Sequence, residues 1–506
     1  MRIEGRTGGF IAGRRFCAGA LPCSAVARPW EFMMLEYTDH FHIDEETIRR
    51  IISTALSRGG TYCDLFFEHA LENGITMEED IVREATKSIT HGVGIRVIKG
   101  EGTGYAYTED LAPDRMKQAA LTAAAIADAP GANGPAALRE TAFENHYPID
   151  EPMTTAALGA KVACVQEAER AAKQFDNRVI KVKVHFVDRL STIQIATSEG
   201  VLLRDTRPMV HLSVVVVAEH GGLRQIGLSS GGGRYGSDYF SRILPAAEHG
   251  REAARRAVLL LEATDAPAGP MELILAPAES GILLHESVGH PLEADFIRKR
   301  TSAYTDRLGD RVASDLVTVI DDGTVPHDRG SINFDDEGTI TRATTLIEHG
   351  ILKGYMHDRI SAARFGVPLT GNGRRESYKS PPQPRMTVTY LANGTSDPEE
   401  IFRSTRKGIF CKSFRGGQVD ISNGDFVFVP IEAYLVENGR ITAPVKNLTL
   451  IGNGPDVLSR VTMVGNDFSF SGGRWTCSKG QSVPVGVGLP TIKISEITVG
   501  GSDIAR

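Results

Sequence analysis

The chain has 506 residues, more than one hydrophobic core comfortably serves, so two large domains are expected. Hydrophobic residues at 41% and charged ones at 24% give the balance of a globular protein and exclude a disordered chain. A formal net charge of -7 offers no bulk attraction to nucleic acid or an anionic membrane, and no apolar run reaches the length of a membrane span.

Residues 1–35 differ from the rest. Arg2, Arg6, Arg14, Arg15 and Arg28 dominate, and the uncharged stretch from Phe16 ends in Ala25-Val26-Ala27, the layout of a secretion signal. Gly19, Pro22, Cys23 and Ser24 interrupt the apolar part, which favours a disordered extension or a start site ahead of Met33 or Met34. Six scattered cysteines are too few for a disulfide framework and suit a reducing cytoplasm.

Asp44, followed by Glu45 and Glu46, predicts the N-cap of a helix with Ile48, Ile51, Ile52, Ala55 and Leu56 on one face, stopped by Gly59-Gly60. Short strands follow at Leu65 to Phe67, Gly92 to Ile98 and Gly102 to Tyr107. Two alanine-rich helices, Pro113 to Ala127 and Thr154 to Gln174, flank a loop with Pro130, Gly131, Asn133, Gly134 and Pro135. A second strand-rich block runs from Ile180 to Ile226, its Val214 to Val217 run reading as a buried strand. Gly231-Gly232-Gly233 lacks a P-loop lysine and is read as a flexible turn. After a helix from Gly250 to Glu262, Ala266-Pro267-Ala268-Gly269-Pro270 reads as a linker, dividing an N-terminal α+β domain (36–265) from a C-terminal strand-rich domain (266–506). The segments around His349-Gly350 and Asn438-Gly439 read as tight hairpins. Strand blocks with clustered helices make the fold class α+β.

A strand at Glu272 to Ala276 and a helix opening at Pro277 lead into HESVGH, residues 285–290. On a regular α-helix, residues five apart diverge by about 140° while those four apart diverge by about 40°, so a straight helix cannot aim both histidines at one ion. Gly289 and Pro291 supply the remedy, because both disfavour continued α geometry, and a π-type turn restores positions five apart to nearly one face. A catalytic zinc needs three protein ligands and a base beside its open position. His285 and His290 fit as ligands and Glu286 as the base. Cys477, in a polar loop, is the favoured third ligand; Glu293 and Asp295 are carboxylate alternatives or groups that orient a ligating histidine. Arg374, Arg375 and Glu376 could bind a peptide terminus or form a solvated loop facing a partner subunit. Turn chemistry accounts for Asp321 and Asp322, and no second metal is favoured at these or at Asp335 and Asp336.

Beyond single residues, HESVGHPLEADFIRKRTSAY, VASDLVTVIDDGT, RGSINFDDEGT, GNGRRESY with PRMT, GGQVDISNGDFVF, MVGNDF and CSKGQSVPVGVGLPTIKISEITVGG resemble, in order and spacing, segments of the TldD/PmbA family of metalloproteases, and of its TldD branch in particular. In the first half the likeness centres on YCDLFFEH and HGVGIRVIKGEGTGYAYTED. The resemblance implies a two-domain α+β fold, one zinc held by His285, His290 and Cys477, Glu286 as base, and hydrolysis of small or unfolded polypeptides. It also implies a dimer, either of two copies or with a PmbA-like (TldE) homologue that lacks the motif, this chain being the catalytic member. Pro291 stands where the family often has glycine, which preserves a helix break but stiffens it. Two other readings stand beside it. HESVGH also fits the HExxGH form of dipeptidyl peptidase III, and a non-catalytic zinc protein could engage a topoisomerase or a toxin system.

Overall fold

The computed structural model describes residues 40–126 and 134–501. The leader-like extension (1–35), Ala127 and most of the Pro130 loop therefore lie outside the described residues. Helix α1 (Glu45–Leu56) begins as its sequence requires, with Asp44 Oδ1 accepting from the Thr47 N–H at 2.7 Å, and it buries Ile48, Ile51, Ile52, Ala55 and Leu56.

An antiparallel sheet fills the first half: β1 (Tyr62–Glu78), β2 (Ile81–Lys99), β3 (Gly102–Thr108), β4 (Val179–Thr197), β5 (Val201–His220) and β6 (Leu223–Gly233). They are arranged in the order β3-β2-β1-β4-β5-β6. The β1–β2 hairpin is far longer than the short strands expected there. The outer part of β2 is exposed on both faces, so no alternation marks it, while β1 buries Ile75 and Met77 there; the turn uses Glu79 and Asp80 at φ 54° and 60° where glycine normally signals. Helices α2 (Pro113–Ala124), α3 (Leu158–Lys173) and α4 (Ala246–Glu262) cover this sheet, α4 starting at Ala246 and not Gly250 because Pro245 sets its first turn. Only one face of the valine run is sealed: Val214 and Val216 are buried beside Val182, Val184 and Ala253, while Val215 and Val217 are half-buried.

Gly231-Gly232-Gly233 is the end of β6, not a turn. Gly232 N–H donates to Gly472 O at 2.9 Å, and a side chain at Gly232 or Gly473 would strike backbone, so the glycines let this strand approach the loop preceding Cys477.

The second half holds a closed ring of strands. β7 (Gly269–Leu275), β8 (Val319–Asp322), β9 (Ala343–Glu348), β10 (Val388–Leu391), β11 (Lys407–Val419), β12 (Asp425–Glu437), β13 (Thr449–Asn453), β14 (Thr476–Ser478), β15 (Ser482–Pro484), β16 (Gly486–Leu489) and β17 (Ile492–Gly500) follow in chain order. The pairings β11-β7-β17-β13-β12 close on themselves because β11 also pairs with β12. A six-stranded sheet containing β9, β8, β10 and β16 lies beside it. The segment read as a linker carries strand pairing at both ends, and Ala266 is fully buried. Both tight hairpins are present, with His349 and Gly350 at φ 47° and 78°, and Asn438 and Gly439 at 50° and 80°.

A buried charge network ties the halves. Arg96 contacts Asp64 at 2.6 Å and Glu337 at 2.7 Å, and Arg375 contacts Asp64 at 3.0 Å, all four side chains being inaccessible or nearly so. Among the described residues, no helix is long and apolar enough to cross a membrane.

Candidate metal centre

The segment carrying HESVGH touches β10 and β16 of the six-stranded sheet and β11 and β12 of the ring, and Ile282, Leu283, Leu284, Val288 and Leu292 are sunk in the core. Its backbone departs from α geometry where Gly289 and Pro291 predict. His285 to Gly289 forms a π turn in which the His290 N–H donates to His285 O, and His290 to Leu292 tightens into a 3-10 turn that ends at Glu293. Gly289 lies against Met386, whose Sδ any added Cβ would meet.

The consequence is convergence. The two imidazole centroids are 4.9 Å apart at 82°, and one ligand atom each from His285, His290 and Cys477 lies within 4.8 Å of the others. Cys477 Sγ is 3.3 Å from His290 Nε2. Burial, then the neighbouring His290, Arg385 and Arg374, hold His285 well below the usual histidine range, so its ring is neutral. Among the described residues its buried Nδ1 has no hydrogen-bond partner. A neutral imidazole with an orphaned nitrogen, a second imidazole and a thiol form a donor set suited to zinc.

Glu293 does not join the three. Its Oε2 lies 3.1 Å from His290 Nδ1, which turns the opposite ring nitrogen toward Cys477. Burial raises the Glu293 carboxyl, but Lys479, His290 and Arg385 outweigh it and lower it below its ordinary value. Asp295 stands one step further out, paired with Lys479 Nζ at 2.6 Å. Two residues not singled out from sequence complete this shell. Lys479 bridges Glu293 and Asp295, and the fully buried Arg385 donates to Cys477 O and Gln481 O, both at 2.8 Å, fixing the β14–β15 hairpin that presents the cysteine. Arg385 stands in PRMT and Lys479 in CSKGQ, but only the tertiary fold reveals their partners.

Glu286 lines the same cleft of about 730 Å³ as the three ligand candidates, and burial raises its carboxyl above the ordinary range. The opposite wall is Arg415 to Val419 of β11, where the β11–β12 register slips three times between Cys411 and Gly416. β7 has ended by then, so among the described residues one edge of β11 beyond Cys411 is unpaired. Cys411 itself is core, as its apolar neighbours suggest.

Arg374 and Arg375 are not on a solvated loop. Arg374 is buried and donates to Met386 O and to Pro484 O, and Arg375 to Asp64 and Asp336 O, because the Gly373–Arg374 strand is drawn inside; only Glu376 is exposed. The acidic pairs are saturated from within the chain. Asp321 accepts from Thr387, Thr389 and Asn372, Asp322 caps Thr324, Asp335 accepts three backbone N–H groups, and Asp336 meets Arg207.

Family models described as PmbA/TldA metallopeptidase domain 1, central domain and C-terminal domain match residues 63–127, 152–261 and 268–501. The Metalloprotease TldD homolog of Haemophilus influenzae is 40% identical over 469 residues, covering 91% of this chain and 97% of the relative. The Zinc metalloprotease TldD homolog of Saccharolobus solfataricus is 28% identical over 481 residues, 89% of this chain and 99% of that protein. The fold is shared with TldE from Thermococcus kodakarensis, with a TM-score of 0.72 and 18% identity over 90% of this chain and all of the other. With most of its length matched segment by segment, and a relative at 40% identity spanning nearly all of it, the chain belongs to the PmbA/TldD metallopeptidase family.

Proposed function

We propose that the protein is a zinc-dependent peptidase in which His285, His290 and Cys477 hold the ion and Glu286 is the general base. The observation that carries this reading is the meeting of three ligand atoms within 4.8 Å beside Glu286 in one cleft. The names of the relatives, metalloprotease and zinc metalloprotease, support it. A zinc ion bound there supplies Lewis acidity and lowers the pKa of a water. Glu286 takes a proton from water in the cleft and returns it to the leaving amine; burial, by raising its carboxyl, brings it nearer the operating pH that such a shuttle needs. Glu293 keeps His290 in one tautomer and orientation.

The unpaired edge of β11 suits an extended peptide, because backbone pairing holds a strand without reading its side chains. Small or unfolded polypeptides are the substrate class that follows. The working assembly is a dimer, with a second copy or a TldE-like homologue, in which this chain supplies the chemistry. Purified protein should carry stoichiometric zinc, lost in Cys477→Ala, while Glu286→Gln should keep zinc and fold but lose cleavage of an unstructured peptide. Zinc-loaded wild type that cleaves no unstructured peptide would leave a non-catalytic binding role as the better account, and undiminished cleavage by Glu286→Gln would remove that residue as the base.

A further inference from the structure

A second chamber, of about 440 Å³, lies between the N-terminal sheet and the C-terminal half and meets the metal cleft at Thr476, the residue before Cys477. Six arginines line it against four carboxylates, Glu68, Glu72, Asp336 and Glu376, so cations are in excess. Among the arginines lining it, Arg189 is matched by Glu68, Arg207 by Asp336 and Arg375 by Asp64. Arg234, Arg329 and Arg374 form no ion pair among the described residues, although Arg234 and Arg374 are 4% and 3% exposed. Arg234 donates to Ser331 O and lies over the Tyr147 ring. Arg374 reaches the Met386 and Pro484 carbonyls, and Arg329 reaches Trp475 O, Thr476 Oγ1 and Met209 Sδ.

A guanidinium has five N–H donors, so these contacts leave donors to spare on each, and a buried cation without a counterion is costly. Burial, aided by Arg234 and only partly opposed by Asp336 at Arg374 and by Asp328 at Arg329, depresses Arg374 to about 9 and Arg329 to about 10. His211 lines the same chamber with its buried Nε2 unpartnered. Burial, then Arg329, holds that ring neutral, so it can donate one N–H without adding charge.

We propose that this chamber, through Arg234, Arg329, Arg374 and His211, binds the C-terminal carboxylate of a peptide whose preceding residues lie in the metal cleft. The inference rests on the peptidase reading for its choice of anion: a planar carboxylate matches the guanidinium fork, and a peptide terminus is the carboxylate that a chamber opening beside Cys477 receives. Peptides with a free C-terminus are then preferred, and cuts fall at a short, fixed distance from it.

The test uses full-length protein carrying Glu286→Gln and two fluorescent peptides identical except for a free or an amidated C-terminus. Anisotropy should show the free acid binding at least tenfold tighter. Arg329→Gln should erase that preference and leave the amide's affinity unchanged. Arg374→Gln should do the same; because Arg374 anchors two backbone carbonyls and Arg329 anchors Trp475 O beside Cys477, circular dichroism and zinc content must match the parent in each variant. Acetate should compete with the acid peptide. Equal affinity for the two peptides, or a preference that survives Arg329→Gln, overturns the proposal, as does displacement by inorganic phosphate at lower concentration than acetate. Binding is read without turnover, so failure of metal-dependent cleavage in the parent protein sinks the peptidase reading and leaves a measured carboxylate preference standing.

Discussion

Glu293 offers the sharpest probe of how the centre is held. It accepts from His290 Nδ1 at 3.1 Å, meets Lys479 at 3.1 Å and faces Arg385 at 3.7 Å, all without solvent exposure of its own. Glu293→Gln keeps an oxygen that can accept from His290 but removes the charge. Glu293→Ala removes both and leaves a buried cavity beside two cations. Loss of a group that orients a ligating histidine typically costs 10–100-fold in metal affinity. Glu293→Gln should fall near the lower end, about 1.4 kcal/mol, and Glu293→Ala near the upper, about 2.7 kcal/mol. Titration of zinc against a competing chromophoric chelator measures this, with circular dichroism confirming that each variant is folded. Lys479 retains Asp295 in both variants, so the fold has a reason to survive. Wild-type zinc affinity in a folded Glu293→Ala would refute the idea that this carboxylate orients His290.

Gly289→Ala drives a Cβ into Met386 Sδ and should destabilise by about 1–3 kcal/mol in urea unfolding, with Met386→Ala in the same chain recovering part of the loss. Arg96→Met leaves Glu337 without its ion pair and Asp64 with Arg375 alone, and should cost about 3–5 kcal/mol, read as a fallen Tm or failure to fold. His249 is pushed down to about 4, by burial first, with Glu279 opposing and Arg256 assisting; its folded pKa lies below its unfolded one. Its contribution is therefore fully present above about pH 6.5 and lost as pH falls toward 4. His249→Gln should accordingly show a flatter loss of stability than wild type across that interval in pH-resolved thermal melts. Asp328, raised to about 6 by burial, works in the opposite sense, so the difference between the two proteins is the quantity to compare.

Local chemistry was legible wherever a short stretch of chain decides its own geometry. Asp44 caps α1, His349-Gly350 and Asn438-Gly439 turn their hairpins, and Gly289 and Pro291 close a π turn, each from backbone preferences spanning a few residues. The convergence of His285, His290 and Cys477 needed the tertiary fold, and so did Arg385 and Lys479, whose side-chain partners stand 92 positions away or more. The length of β2 was hidden because its exposed outer half carries charge on both faces, and that of β1 because Asn73 and Gly74 interrupt it before the buried Ile75 and Met77. Arg374 and Arg375 looked solvated for a related reason: a charged pair that follows Gly371-Asn372-Gly373 reads as surface until its distant acceptors are in place.

The bond between Arg96, Asp64, Glu337 and Arg375 has a mechanical consequence. Parting the two halves like jaws would strip partners from several inaccessible ions at once, a penalty of several kcal/mol for each. Hinge opening is thus opposed as a route to the cleft beside Cys477, and heat should melt the molecule in a single cooperative calorimetric peak. On the peptidase reading proposed above, whatever yields to admit a substrate must be thinner, such as the irregular stretch of β11.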